Sequence, residues 1–551
     1  MQQFVFPSNP LLGFFTVLLF IAHPVHTEVV ANIKSRDEIL SLLFIALTGT
    51  YLLRYFKTSN TKNLFLCIAS FSAALLSKEY AIVLPFILVT GLIIIHHQSY
   101  KSIINSCTKA MFGVLMLFVV MRFSAFNNSV LKVKKDVLND PYLFANTAEK
   151  LASKISIILE YLRVLIYPKN LSYDYSYNHL PYSNFGDWQS WVAIFIYLSL
   201  GFATVYLYRK KHIISFMLVV FLGFFILVNN LIFPIGATMG ERLIYHSSLG
   251  FCMILVWGIN YLIEKFNNSV IRQTVATIIC ICILIPLCAK TIDRNQAWKS
   301  DYELHLSDVS YVRESALANS NAGTVIFNAA YKLFEGKKIK TAADTASFRQ
   351  EIHSAIYYFK KAVDIHPKYL NSHLNLGLCY FNLNEIERAV EYWEEAGKLF
   401  NGPYPALQTY ARIFLDRGIA YGQKKQFNEA IIELQRAIKI YPYDADIWEN
   451  LGGAYFMTAK FDESREAFSK SLSLNPYLTG SLQGKGVAEN FLLLQEKTIK
   501  DSLNPVIWLE AGDAYQQGNF IRLAEDAYQR VLKLDRNNSE ARNRLQLIKN
   551  R

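Results

Sequence analysis

The sequence predicts an all-α chain in two parts, a polytopic membrane helical bundle followed by a solenoid of stacked helix pairs. Two observations point there. Of 551 residues 52% are hydrophobic and only 18% charged, where soluble chains carry about 25% charge. The charge is also unevenly divided. Residues 1–290 hold 23 Lys+Arg against 12 Asp+Glu, whereas residues 291–551 hold 33 against 32. A basic, charge-poor half is thus joined to a balanced, charge-rich half. This excludes a purely soluble enzyme and a disordered tail. Six of seven cysteines lie in apolar runs, and Cys379 alone lies beyond them, which excludes a disulfide scaffold.

The first half contains nine apolar runs, near 11–22, 38–56, 63–76, 80–97, 103–121, 189–208, 213–233, 243–262 and 271–290. Spanning helices need about 20 apolar residues, so nine spans are expected over a membrane domain 1–290. Orientation follows from short-loop Lys and Arg. With Met1 cytoplasmic, every second loop is basic: Arg54, Lys57 and Lys62; Lys101 and Lys109; Arg209, Lys210 and Lys211; Lys265 and Arg272. An odd number of spans places everything after Lys290 outside. That phase requires residues 153–168, within the outer loop 122–188, to lie on the membrane surface as an amphipathic helix. The basic excess is therefore read as addressed to lipid, not to nucleic acid.

The second half repeats. Trp448, Leu451, Gly452, Tyr455, Phe468 and Pro476 form the tetratricopeptide pattern, and Pro442 and Pro476 lie 34 residues apart, the period of that repeat. Leu376, Gly377, Tyr380, Ala389, Trp393 and Ala396 fit the same frame. So do Gly418, Tyr421, Ala430 and Ala437, and Trp508, Gly512, Tyr515, Ala524 and Tyr528. An opening unit, Asn328–Leu333 with Ala355–Pro367, is split by a polar insertion near 336–350, and residues 479–504 form a degraded unit. Small residues admit close helix approach, aromatics fill the gap, and about three or more pairs must stack to bury the core. The expected repeat domain is 321–551, with 291–320 as a linker. Its concave groove is read as binding a peptide, with a plain spacer as the alternative.

Candidate chemistry sits in charged turns beside apolar runs. His23-Pro24-Val25-His26-Thr27-Glu28 is followed by Lys34-Ser35-Arg36-Asp37-Glu38. Charge this dense between two spans is costly unless it faces water or a polar cavity. Lys34 and Arg36 suit a lipid phosphate, and a carboxylate or His suits proton transfer; a plain interfacial loop is the alternative. Zinc at His23 and His26 lacks a third ligand at metal spacing. Lys78-Glu79 and Glu241-Arg242, with Tyr245 behind, add two more charged pairs, Arg being suited to bidentate phosphate binding. Tyr173-Asp174-Tyr175-Ser176-Tyr177-Asn178-His179 and Asp187-Trp188 have a sugar-binding composition, shared by an interfacial aromatic belt. No Walker loop, GxSxG or HExxH is present.

The stretches HPVHTEVVANIKSRDEILSLLF, LLSKEYAIVLP, YLRVLIYPKNLSYDY, NNLIFPIGATMGERLIYHSSLGF and RNQAWKS, followed by these repeats, resemble the transmembrane and tetratricopeptide repeat-containing proteins. That family includes protein O-mannosyltransferases of the GT-C class. The resemblance implies transfer of a hexose, mannose in eukaryotic members, from a polyprenyl phosphate to Ser or Thr outside the cytoplasm, without a cofactor. It also implies two helices and an acidic first loop before the His-Pro-x-His segment. Met1 lies ten residues before the first run, so that acidic pair is expected to be absent. The catalytic candidates are then Glu28, Asp37 and Glu38. Substrate-binding candidates are His23, His26, Lys34, Arg36, Lys78, Glu79, Tyr173, Asp174, Glu241, Arg242 and Tyr245. The alternative is a non-catalytic membrane scaffold. The compartment expected is a bacterial inner membrane with periplasmic repeats, or otherwise the endoplasmic reticulum.

Overall fold

The computed structural model describes residues 5–6, 9–128, 136–232, 234–263, 269–336 and 342–550. Lys265 and the 337–341 part of the polar insertion lie outside the described residues. So does Phe233 of the NNLIFPIG stretch. Every helix or strand assigned among the described residues is helical. The chain divides into two compact units, Met1–Tyr369 and Leu370–Arg551.

The first unit contains α1 (Pro10–Ala22), α2 (Thr27–Ala31), α3 (Arg36–Thr58), α4 (Thr61–Ser77), α5 (Leu84–Ile94), α6 (Tyr100–Ile103), α7 (Ser106–Asn128) and α8 (Thr147–Ile166). It continues with α9 (Trp188–Arg209), α10 (Ile213–Phe225), α11 (Tyr245–Ile263), α12 (Ser269–Ala297), α13 (Asp301–Tyr311), α14 (Ala316–Gly336) and α15 (Ala342–Ile365). Each of the nine apolar runs falls on a helix. Length separates them, however. Five helices, Ile33–Thr58, Ser106–Ser124, Trp188–Arg209, Glu241–Ile263 and Val270–Ala297, are long and apolar enough to cross a membrane. The pair Pro10–Ala22 and Pro24–Ala31, bent by 56°, makes a sixth if read as one broken span.

The other three apolar helices are shorter, for local reasons. α4 is bounded by Asn60, whose side chain accepts from Lys62 N, and by Lys78 in extended conformation. α5 is preceded by a 3-10 turn, Glu79–Val83, and begins with Pro at its first turn. α10 is 13 residues long, about 20 Å of helix against a hydrocarbon core of about 30 Å. The nine apolar runs thus appear as nine apolar helices, of which five, or six with the bent pair, are by themselves long enough to span among the described residues, and three are shorter.

α8 also departs from expectation. A capping box, Asn146 with Glu149, starts it. Its apolar stripe, Ile157, Ile158, Tyr161, Val164 and Leu165, is covered by protein in a core that includes Val25, Ala193 and Phe225. The helix is amphipathic, as read, but its apolar face packs on its own unit. Residues 291–320 are largely helical. α12 runs to Ala297, α13 and α14 follow, and the Arg294–Asp308 ion pair buried between α12 and α13 gives them a polar core contact.

The second unit is a repeat solenoid: α16 (Leu370–Asn382), α17 (Ile386–Phe400), α18 (Pro405–Gln423), α19 (Phe427–Ile440), α20 (Ala445–Met457), α21 (Phe461–Leu474), α22 (Thr479–Lys500), α23 (Pro505–Gln517), α24 (Ile521–Leu534) and α25 (Ser539–Lys549). The pairing rule is visible in the glycines. Gly377 sits under Trp393, Gly418 under Leu434, Gly452 under Phe468 and Gly512 under Tyr528, where any Cβ would collide with the larger side chain. The turns between paired helices place Asn384, Lys425, Ala459 and Asn519 at positive φ. The degraded unit appears as the single long helix α22.

Candidate active site

Three turns meet at one end of the membrane bundle: the α2–α3 junction, the segment Lys78–Val83 after α4, and the 3-10 turn Glu241–Ile244 before α11. Local rules place the charges there. Asn32 caps the turn Ile33–Ser35 by accepting from Lys34 N at 3.0 Å. Asp37 and Glu38 then occupy the first turn of α3, and Glu28 that of α2, where a carboxylate is favoured by the helix dipole.

The side chains interlock in two groups. Lys78 Nζ lies 2.7 Å from Asp37 Oδ2 and 2.9 Å from Glu38 Oε1, and Glu38 Oε2 lies 3.3 Å from His246 Nδ1. The Tyr80 ring faces both Lys78 Nζ, at 5.5 Å, and the His246 ring, at 5.6 Å. In the second group Arg242 Nη1 donates to Glu28 Oε1 at 3.0 Å, and the Arg242 backbone N–H donates to Glu28 Oε2 at 3.0 Å. Burial alone would lower the Lys78 ammonium. The charges and hydrogen bonds of Glu38 and Asp37 outweigh it, so the group sits above its ordinary value and stays cationic. Exposure then distinguishes the acids. Glu28 and Glu38 are buried, whereas the Asp37 side chain is 38% exposed and Arg242 36% exposed.

A buried polar network lies behind this end. Glu241 Oε1 accepts from Ser172 N at 2.6 Å and from the Tyr175 hydroxyl at 2.7 Å. Asp308 accepts from Arg294 Nη1 at 2.6 Å and Nη2 at 3.3 Å, from Ser172 Oγ at 3.2 Å and from Tyr173 N at 2.8 Å. Since Glu241 and Arg242 are neighbours, the network links α12 and α13 to the turn that presents Arg242.

The structure therefore brings together Glu28, Asp37, Glu38, Lys78 and Arg242. Lys34 and Arg36 are exposed nearby in sequence and make no ion pair among the described residues. The other candidates have internal partners. His23 Nε2 donates to Leu165 O at 2.9 Å, and its Nδ1 accepts from Val25 N. His26 Nδ1 lies 2.6 Å from Phe20 O and its Nε2 2.8 Å from Ser248 Oγ. These two rings shape the bend after α1. Glu79 pairs with Arg122 on the surface. Tyr245 packs between Phe20 and His26. The Tyr173 hydroxyl accepts from Asn321 at 2.9 Å. Asp174 accepts from Ser176 and Ser315, and burial raises its carboxyl above the ordinary range despite those hydrogen bonds. Tyr80, Ser172, Arg294 and Asp308 stand outside the sequence candidates, and Tyr175 and His246 enter only as neighbours of Asp174 and Tyr245. His246 lies four residues after Arg242, one helical turn on, which is the signal that was available.

The second unit holds a groove of about 810 Å³, with Ile419, Gly422, Phe427, Asn450, Gly453 and Met457 among its walls.

Comparisons with known proteins address both units. Residues 6–125 match the family model of dolichyl-phosphate-mannose-protein mannosyltransferase. Tetratricopeptide repeat models match residues 370–399, 418–458 and 445–477. Protein O-mannosyl-transferase Tmtc3 of Drosophila melanogaster is 25% identical over 447 residues, covering 73% of this chain and 46% of the relative. Protein O-mannosyl-transferase TMTC3 of Homo sapiens is 24% identical over 503 residues, covering 83% and 51%. Protein O-mannosyl-transferase F38B6.6 of Caenorhabditis elegans is 27% identical over 321 residues, covering 57% and 43%. The chain spans about half the length of the curated relatives it matches. Through its membrane helices and its repeats alike, the chain is similar to the transmembrane and tetratricopeptide repeat-containing protein O-mannosyl-transferases, the family its motifs resemble.

Proposed function

We propose that the protein is a membrane glycosyltransferase that moves a hexose, mannose by likeness to its relatives, from a polyprenyl phosphate to a Ser or Thr hydroxyl. The observation that carries this reading is the convergence of Asp37, Lys78, Glu28 and Arg242 from three separate turns at one end of the bundle. Asp37 is the accessible carboxylate of the three acidic candidates. In the proposed reaction the acceptor oxygen bonds to the anomeric carbon as its proton passes to Asp37, and the bond from that carbon to the phosphate oxygen breaks. Arg242, one-third exposed and oriented by Glu28, meets the charge on the departing lipid phosphate. Lys78 holds Asp37 in place, with Glu38 and His246 behind it. Exposed Lys34 and Arg36 add cationic charge for the lipid head group.

The charged end is assigned to the outer side of the membrane, with the repeats on that side and their groove holding the acceptor polypeptide. A bacterial inner membrane fits the short basic loops, with the endoplasmic reticulum as the other setting. The test is transfer of radiolabelled mannose from polyprenyl-phosphate mannose to a Thr-containing peptide, using membranes that carry the full chain. Asp37→Asn and Arg242→Ala should each lower the rate about 100-fold or more at equal expression. Unchanged transfer by Asp37→Asn rejects its role as base. Absence of transfer by the parent chain rejects the enzyme, and a repeat-bearing membrane scaffold then becomes the better reading.

A further inference from the structure

The first unit holds a cavity of about 360 Å³, built by α8, the loop before it, the loop before α9 and Thr238. It is within the range of small-molecule sites, about 300–1,000 Å³. Its walls carry three tyrosines, Tyr142, Tyr177 and Tyr182, two carboxylates, Glu160 and Asp187, and the hydroxyls of Ser153, Ser156, Ser183 and Thr238. The tyrosine rings form a connected surface. Tyr182 lies 6.5 Å from Tyr142 and 6.2 Å from Tyr177, centroid to centroid. The Tyr182 hydroxyl donates to Pro141 O at 2.8 Å, which fixes that ring. Tyr142 is 5% exposed, and its buried hydroxyl has no hydrogen-bond partner among the described residues. A buried hydroxyl left unpaired carries the full cost of its lost hydration.

The chemistry of the wall selects the occupant. Among the described residues no lysine or arginine lines the cavity; Lys154 stands over the Tyr142 ring at 5.7 Å and Arg163 is held by Glu160, so the wall itself offers a phosphate or carboxylate ligand no cationic partner. The carboxylates are themselves engaged: Glu160 accepts from Arg163 Nε at 2.7 Å and Asp187 from Asn184 N at 2.8 Å. That leaves acceptor capacity on both carboxylates for the hydroxyl groups of a ligand. Ring faces beside hydroxyl-accepting oxygens suit a ligand with one apolar C–H face and a rim of hydroxyls. We infer that this cavity binds a neutral hexopyranose unit, apart from the charged cluster and without taking part in transfer. The inference stands whether or not that cluster moves a sugar. The hexose has two sources, a free saccharide or a sugar already attached to a polypeptide.

The experiment is saturation-transfer NMR on the full chain in detergent, with methyl α-mannopyranoside, a mannosylated Thr peptide, the bare peptide and glycerol as probes. Transfer to the two sugar-bearing probes and not to the others is the expected result. Tyr182→Ala should abolish it. Tyr142→Phe, which keeps the ring and removes only the unpaired hydroxyl, should weaken it about tenfold, the loss of one good hydrogen bond. Tighter binding of the mannosylated peptide identifies the attached sugar as the source, and equal binding identifies the free saccharide. No transfer to either sugar, or transfer unchanged in both variants, overturns the inference.

Discussion

Two glycine-to-alanine substitutions in the second unit should move its stability in opposite directions. At Gly377 an added Cβ would stand 2.5 and 2.7 Å from Cδ1 and Cε2 of Trp393. That ring cannot yield easily. Trp393 is fully buried, donates to Leu374 O at 3.1 Å and stacks on Tyr410 at 4.4 Å. Overpacking a filled core costs about 1–3 kcal/mol, and loss of the indole hydrogen bond adds about 1 kcal/mol. At Gly453, also within a helix, nothing lies within 4 Å of the Cβ position. Alanine there gains helix propensity of about 0.5–1 kcal/mol. The two variants should therefore differ by roughly 3 kcal/mol, a separation of about 1.5 M in urea midpoint at a slope of about 2 kcal/mol/M. Equilibrium urea unfolding of residues 370–551, followed by Trp fluorescence and circular dichroism, measures it. Equal midpoints, or Gly377→Ala at or above the parent, would refute the reasoning that the small residue exists to seat the indole.

Other expectations concern the first unit. Asp308→Asn leaves the Arg294 guanidinium buried without its carboxylate, so thermal stability in detergent should fall by about 3–5 kcal/mol; a loss under about 1 kcal/mol would make the pair dispensable. Glu79→Ala breaks only an exposed ion pair with Arg122 and should change stability by less than about 1 kcal/mol. Burial lowers His179 and His305 below 6.5, against the pull of nearby carboxylates. The unfolded chain then binds more protons, so their contribution to stability is present above pH 6.5 and is lost as the pH falls below it. A thermal midpoint that drops from pH 7 to 5, and drops less in His305→Gln, is the result expected; identical slopes would remove His305 from the account. Cys282 and Cys288 are exposed on α12, whereas Cys67, Cys107, Cys252 and Cys379 are buried. A water-soluble maleimide should label the first two in the denatured chain but not in intact membranes, and labelling in membranes would exclude that part of α12 from lipid.

Much of the architecture was legible because each half follows a local rule. The solenoid could be read from single residues, since Gly377 and Trp393, or Gly452 and Phe468, satisfy one contact at one spacing in every repeat. The apolar runs likewise marked helices. What hydropathy did not reveal was where those helices end. α4 stops at Lys78 because that side chain turns to Asp37 and Glu38, and α8 is amphipathic for a protein core that only the fold supplies. Arg294 and Asp308 lie 14 residues apart in a polar stretch, and only the fold shows that they pair in the interior.

The site shows the same division between local and distant information. A charge flanked by apolar residues is costly wherever it lies, so sequence alone could single out Glu28, Asp37, Lys78 and Arg242. Their pairing could not be read, because Arg242 meets Glu28 across 214 residues and Lys78 meets Asp37 across 41. Nor could the sorting of the acids. Glu28 and Glu38 are buried and ion-paired, which fits them to hold Arg242 and Lys78, and Asp37 keeps an exposed edge. If that sorting is functional, Glu38→Gln should impair transfer by loosening Lys78 and be partly tolerated, while Asp37→Glu, which keeps the carboxylate but moves it by a methylene, should lose most of the rate. The opposite order would place the proton acceptor in the interior, beside His246, and would reverse the roles assigned to the two neighbouring acids.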